Sequence, residues 1–231
     1  MFSYYGGKSK IVDYYPPPKF KKIIEPFAGS ARYSLKYWDN DVLLLDKYEV
    51  IVKIWKWLQQ CSEADIKKLP ILKQGESLHD YNLTIQEKMF MGFIITSASS
   101  GLKNIATKYG APEIKSRLNN VAKNLYKIRH WQIKEGSYEE LLNEEATWFI
   151  DPPYQFGGHC YKFGNKKIDY SFLANWCKTR KGQVIVCENT KASWLPFKPM
   201  INIRGIKYKT TEAIWSNQRT NYDGHQILLQ F

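Results

Sequence analysis

Several signatures of common cofactor sites are missing from this chain. It contains neither a G-x-G-x-x-G nor a G-x-x-x-x-G-K stretch, so neither a nicotinamide coenzyme nor a nucleoside triphosphate is expected. Its four cysteines (Cys61, Cys160, Cys177, Cys187) form no C-x-x-C pair, and its four histidines (His79, His130, His159, His225) are equally dispersed. That pattern argues against a zinc site or other metal centre and against a disulfide framework, and a reducing cytoplasm is the expected setting. Cys187, inside the run VIVC, reads as a small buried hydrophobe. No apolar run approaches the ~20 residues that a membrane-spanning helix needs. The amino end opens on a Gly-Gly-Lys stretch without the features of a secretory leader. Internal repeats, low-complexity tracts and domain linkers are also missing. Acidic residues are in short supply: 22 against 34 lysines and arginines, a formal charge of +12 and a pI of about 9.4. Such an excess favours a polyanionic partner, because phosphate neutralisation supplies most nonspecific nucleic-acid affinity. An ordinary basic soluble protein is the blander reading.

What is present suits one α/β domain, residues 1–231, with a core of useful size; 44 % of its residues are hydrophobic and 15 % aromatic. The most informative stretch is WFIDPPYQF, Trp148 to Phe156. Trp148, Phe149 and Ile150 read as a strand that Asp151-Pro152-Pro153-Tyr154 must end, since two prolines cannot donate to a sheet ladder. The strand then leaves a carboxylate, carbonyl acceptors and an aromatic ring at its carboxyl end, where open α/β sheets bind ligands. Such acceptors beside a flat ring suit a planar substrate carrying an amino group, a nucleobase being the obvious candidate.

Earlier in the chain, Tyr4 to Lys10 (YYGGKSK) offers two glycines and an ammonium that can meet an anion, or else a surface turn. Ile23 and Ile24 begin a strand that runs into Glu25-Pro26-Phe27-Ala28-Gly29-Ser30, with a helix expected from Ala31 to Trp38. A second strand, Asp41 to Leu45, ends in Asp46, placed to accept from ribose hydroxyls or to cap the helix expected from Tyr48 to Leu58. From about 60 to 129 the chain reads as a mainly helical insertion. In it, Ile114, Leu118, Val121, Leu125 and Ile128 recur at helical spacing opposite Lys115, Arg117, Lys123 and Lys127. The loop SSGLKNIATKYGAP precedes that helix. Nucleic-acid contact and a merely solvated basic face both fit this region.

Strands are expected at His130 to Lys134 and Gln183 to Glu188, and helices at Tyr138 to Leu142 and over IDYSFLANWC. Gln155 to Lys167, glycine-rich and aromatic, reads as a mobile loop closing over a site. Two last strands, Ile201 to Tyr208 and Gln226 to Phe231, flank TTEAIWSNQRTNYDG, read as a long polar loop carrying Trp215 and Arg219.

Taken in order, Tyr4-Tyr5-Gly6-Gly7-Lys8, Glu25-Pro26-Phe27-Ala28-Gly29-Ser30, Asp46 and Asp151-Pro152-Pro153-Tyr154 resemble the blocks of Dam-type DNA adenine methyltransferases. The resemblance implies a Rossmann-like methyltransferase sheet of seven strands with S-adenosylmethionine as methyl donor. Lys8, the Tyr4/Tyr5 pair and their glycines would hold the methionine end, the Glu25–Ser30 turn would lie beneath the cofactor, and Asp46 would hold the ribose. Asp151 would face cofactor and base together. With the Pro152 carbonyl it would draw on adenine's 6-amino group, while Tyr154 stacks on the base flipped from the duplex. Lys103, Asn104, Lys108, Lys115, Arg117 and Arg219 are the expected nucleic-acid contacts. Related sequences often carry an acid a little before DPPY, for the cofactor's adenine amine; the counterpart here is Ser137. EAIWSN, Glu212 to Asn217, resembles a late block of the family without an assigned role.

The implied protein is a monomer acting on double-stranded DNA, its companion restriction enzyme unspecified. Methyl transfer to a cytosine amine, an RNA adenine or a protein amide is the alternative chemistry, although Asp151 resembles adenine enzymes more than cytosine or glutamine ones. A degenerate relative that only grips nucleic acid is the remaining alternative.

Overall fold

A computed structural model describes residues Phe2, Tyr4, 6–97, Ser99, 101–204 and 209–218. Tyr5, Arg219 and the strand expected at Gln226 to Phe231 lie outside the described residues.

Seven strands make one sheet: β1 (Lys22–Glu25), β2 (Asp41–Asp46), β3 (Gln132–Glu135), β4 (Ala146–Ile150), β5 (Gly182–Asn189), β6 (Lys198–Arg204) and β7 (Lys209–Ser216). Their spatial order is β3-β2-β1-β4-β5-β7-β6. The first five run parallel, and β7 lies antiparallel between β5 and β6. Six helices complete the described residues: α1 (Arg32–Lys36), α2 (Glu49–Gln60), α3 (Glu63–Lys67), α4 (Ile85–Ile94), α5 (Ile114–Asn124) and α6 (Tyr170–Thr179). This mixed α/β, mostly parallel sheet is compatible with a Rossmann-like fold. No helix among the described residues is long and apolar enough to cross a membrane.

The central strands read as unbroken apolar runs because both faces of the sheet are covered. On β4, Trp148 and Ile150 point into a core shared with α6, while Phe149 joins the opposite core with α2. Between β1 and β4 the order of connection reverses, with Ile23 facing Thr147 and Ile24 facing Trp148. Both strands therefore end beside a switch point, where their loops diverge and a crevice opens.

The insertion is helical, as expected, and its helices stack on α2 and on one another. Trp57 of α2 meets Phe90 of α4 at 5.3 Å between ring centroids. At the far end of α4, Phe93 packs against Phe2 (5.8 Å) and Tyr4 (5.5 Å), tying the insertion to the amino-terminal motif.

Some expected elements differ. The helix expected from Ala31 to Trp38 is shorter, because Ala31 sits in the left-handed region at φ +45° and Tyr37 leaves helical geometry. Tyr138 to Leu142 holds one 3-10 turn, Tyr138–Glu140, since the chain is already extended again at Leu141. The strand expected at Ile201 to Tyr208 begins earlier, at Lys198, and its described part ends at Arg204. The largest correction concerns TTEAIWSNQRTNYDG: its first seven residues belong to β7 rather than to a loop. Thr210, Thr211, Ile214 and Trp215 are strand formers, and the buried Glu212 that made the stretch look polar has partners of its own.

One glycine of the frame makes a direct prediction. Gly182 starts β5 at φ +92°, and a Cβ there would stand 2.2 Å from the Ala146 carbonyl oxygen. Gly182→Ala should lower unfolding stability by about 1–3 kcal/mol in denaturant titration; an unchanged midpoint would contradict the close approach.

Candidate active site

The first wall of the crevice is the turn after β1. Buried Glu25 accepts a 2.7 Å hydrogen bond from the Ser34 amide of α1, and burial pushes its carboxyl up to about 8. At neutral pH it is mostly protonated, a tie between strand and helix more than a source of charge. Gly29, at φ +44°, donates its amide to Asp46 Oδ2 at 2.9 Å while its carbonyl accepts from Trp55 Nε1 at 2.9 Å. Asp46 Oδ1 accepts from the Tyr48 amide at 2.8 Å. Asp46 therefore braces the turn ahead of α2 rather than capping the helix itself, whose cap residue is Tyr48. Burial raises Asp46 to about 6 against the lowering effect of those two amides. Each of its oxygens retains a lone pair for a further donor.

Asp46 and Asp151 both line a cleft of about 840 Å³ that opens to solvent. Phe27, Tyr138 and Ile168 provide apolar walls, Ser137 a hydroxyl, and Tyr161 and Phe163 close it from the Gln155–Lys167 side. Phe27 and Tyr138 stand 5.3 Å apart between centroids. Ser137 Oγ donates to Glu139 at 2.9 Å and takes part in a capping box with Glu140.

A smaller hollow adjoins the cleft and shares Tyr4, Gly29, Asp151 and Tyr161 with it. Gly6, Gly7, Lys8, Ala28, Ser30 and Arg32 belong to this hollow alone. A Cβ on Gly7 would lie 3.0 Å from the Tyr4 carbonyl and 3.1 Å from Ser30 Oγ, so glycine lets the two segments close together. Arg32 gives one Nη2 bond to the Phe2 carbonyl (2.8 Å), while its Nε is buried without a partner. Desolvation lowers the pKa of its guanidinium, and no ion pair with a described residue offsets that. Arg32 thus brings to the hollow a cation without an ion-pair partner among the described residues, alongside Lys8, Glu25 and Asp151.

The end of β4 is the most heavily connected part of the site. Lys8 Nζ lies 2.9 Å from Asp151 Oδ1, 2.8 Å from the Tyr154 hydroxyl and 3.2 Å from the Gly6 carbonyl. It also stands 3.6 Å from Glu212 Oε1 and 4.7 Å from the centre of the Tyr154 ring. Glu212 Oε1 accepts from Tyr15 Oη at 2.6 Å and from the Tyr154 hydroxyl in a short contact. Burial and the Glu212 carboxylate push Asp151 up to about 6, Lys8 opposing them. The flanking carboxylates hold the Lys8 ammonium above the ordinary lysine value despite its burial.

Beyond Asp151 the backbone is laced down carbonyl by carbonyl. Pro153 O accepts from Tyr170 Oη (2.5 Å), Tyr154 O from the Gly158 amide (3.0 Å), Gln155 O from Asn165 Nδ2 (2.8 Å) and Phe156 O from Asn189 Nδ2 (2.8 Å). The Gln155 amide donates to buried Glu188 at 2.6 Å. None of the hydrogen bonds among the described residues ends on the Pro152 carbonyl. Asp151 lines both hollows, whereas the neighbouring Pro152 is buried and lines neither.

The residues expected from the sequence are therefore largely gathered: Tyr4, Gly6, Gly7, Lys8, the Glu25–Ser30 turn, Asp46 and Asp151 meet around two connected hollows. Tyr154 differs from its expected orientation, its hydroxyl directed inward to Lys8 and Glu212. On the insertion, Lys103, Asn104, Lys108 and Lys115 are exposed. Arg117 instead sends its guanidinium to the carbonyls of Ile94 (2.7 Å) and Thr96, holding the end of α4. Sequence reasoning missed Tyr15 and the role of Glu212; the β-branched and aromatic neighbours of Glu212 were the available clue to its strand.

No protein-family model matches the chain, and a search of curated proteins finds no matching relative. Fold and site together define an α/β protein with a ligand cleft at the switch point of its sheet.

Proposed function

We propose that this protein is an S-adenosylmethionine-dependent methyltransferase acting on the exocyclic 6-amino group of a DNA adenine flipped from the duplex. The observation that carries the reading is the Asp151 carboxylate lining the cleft at the end of β4, next in the chain to a Pro152 carbonyl on which no hydrogen bond among the described residues ends. An amine with two N–H groups satisfies both at once, whereas a substrate without them leaves buried acceptors unpaired.

The donor fits the two hollows by chemistry. Asp46 can accept from a ribose diol, the Phe27–Tyr138–Ile168 walls suit a flat purine, and Ser137 offers its amine an acceptor. The Arg32 guanidinium suits a carboxylate tail. Lys8 has less to give that tail than the sequence implied, because its ammonium hydrogens already reach Asp151, Tyr154 and Gly6. When bound, the donor supplies an electrophilic methyl group. Adenine's amino lone pair is delocalised into its ring; Asp151 and Pro152, accepting from the two N–H groups, favour a pyramidal nitrogen whose lone pair is available. As the nitrogen gains its new bond, the Asp151 carboxylate takes the proton it sheds. The exposed lysines of the insertion, next to the α4 end that packs on Tyr4, suit phosphate contact. The resemblance of the four motifs, the positive charge and the cytoplasmic setting expected from the cysteines agree with this reading.

Incubation with duplex DNA and donor, followed by nucleoside mass spectrometry, should yield N6-methyl-2′-deoxyadenosine; methylated deoxycytidine, or product from RNA alone, would move the assignment to the corresponding acceptor. Run across pH, kcat/KM should rise through a midpoint of about 6, since the Asp151 carboxyl titrates there and only its ionised form can take the proton that the amine sheds. A profile flat from pH 5 to 8 would remove Asp151 from that role.

A further inference from the structure

We propose that Glu212 is the positioning residue of the site: it serves as the second counter-ion onto which Lys8 leans when a substrate amine takes Asp151. The inference rests on the acceptor role given to Asp151 above. It starts from an oddity of the resting geometry, in which the lysine occupies the carboxylate that the reaction needs.

Lys8 stands between two carboxylates, 2.9 Å from Asp151 Oδ1 and 3.6 Å from Glu212 Oε1. The two are not equivalent. Asp151 lies at the cleft with its side chain 22 % exposed, whereas the Glu212 side chain is 6 % exposed and lines neither hollow. Glu212 is also held from two sides, by Tyr15 Oη at 2.6 Å and by the Tyr154 hydroxyl, so it can receive a cation without moving. A short shift of the ammonium would exchange one ion pair for another inside the same buried cluster. Asp151 would be released to accept from the amine, and no unpaired charge would appear in the interior.

The charged and titratable groups facing this cluster come from every element around it. Lys8 belongs to the amino-terminal motif, and Tyr15 follows the 3-10 turn Val12–Tyr14 ahead of β1. Asp151 and Tyr154 follow β4, and Cys187 and Glu188 lie on β5. Glu25 ends β1, and Tyr161 comes from the loop. Among them Lys8 is the one cation, so removing Glu212 should confine it to Asp151.

The test is Glu212→Gln, which keeps the shape and an acceptor for both tyrosines while removing the charge. The Asp151 carboxyl is titrated directly by isotope-edited infrared difference spectroscopy, with Asp151→Asn as the blank. Its midpoint should fall by about one pH unit, turnover should drop about tenfold or more, and donor affinity by calorimetry should stay unchanged. Glu212→Asp, which retains the charge, should restore most of the midpoint and also serves if the glutamine variant folds poorly. An unshifted Asp151 midpoint in folded Glu212→Gln, or an equal shift in Glu212→Asp, would overturn the proposal. The spectroscopic arm needs no catalysis. If the wild type methylates nothing, the function fails while the charge coupling of Glu212 to Asp151 is still decided.

Discussion

Asp151→Ala should reduce methyl transfer by about a thousandfold, with the fold and donor binding retained. The size follows from what the side chain does. On the proposed reading it is one of two acceptors for the attacking amine and the group that takes the departing proton; the Pro152 carbonyl alone would do neither job fully. Structural damage should be small, because the variant leaves Lys8 next to Glu212 and the Tyr154 hydroxyl and so strands no cation. It also deletes a carboxylate that burial already holds up at about 6. Single-turnover assays with nucleoside detection would measure the loss, and thermal melting would confirm that the fold survives. Turnover within tenfold of the wild type would mean that the acceptor lies elsewhere.

Lys8→Met should be the most destabilising single change at the site. It leaves Asp151 and Glu212 as two carboxylates in one buried cluster with no cation between them, and losing one partner of a buried pair typically costs about 3–5 kcal/mol. The pH dependence gives the result a signature. In the wild type Asp151 titrates near 6 when folded, above the ordinary aspartate value of about 4. The folded state therefore holds more protons across that window, and this group's contribution to stability falls as pH rises from about 4 to about 6. Without Lys8 the Asp151 carboxyl moves further up, and the window of falling stability extends toward neutral and alkaline pH. The lysine's own raised pKa works in the same direction: its contribution is complete below the ordinary lysine value and would be lost only above it. Denaturant unfolding at pH 5 and pH 8 should thus show a larger deficit at pH 8. An equal deficit at both values would mean that lost packing, not charge, is responsible.

The elements legible in the sequence were those in which local chemistry and tertiary environment agree. Trp148 to Asp151 announced both a strand and its end, because two successive prolines stop the ladder of an interior strand, whereas the edge strand β6 accommodates Pro199. The Gly29 turn and Asp46 were readable together because they lie at the carboxyl ends of the neighbouring strands β1 and β2, one short helix apart. Glu212 was not legible for the opposite reason. A carboxylate in a strand looks like solvent-facing polarity until its partners are known, and Lys8 and Tyr15 lie about two hundred residues earlier in the chain. Arg117 misled in the same way, since the carbonyls that hold its guanidinium belong to a helix end invisible in the charge pattern. Tyr154 was expected to offer a stacking face, but its hydroxyl is bound in the interior.

The lacing that follows Asp151 also bears on how this part of the chain moves. The Gln155 amide, bonded to a fully buried glutamate, should resist deuterium uptake nearly as long as the sheet does. Gly157, at φ +110°, has no atom within 4 Å of where a Cβ would stand, but the Gly158 amide beyond it is bonded again, to the Tyr154 carbonyl. Gly157 is thus an open joint held on both sides, and a side chain added there would meet backbone strain rather than a neighbour.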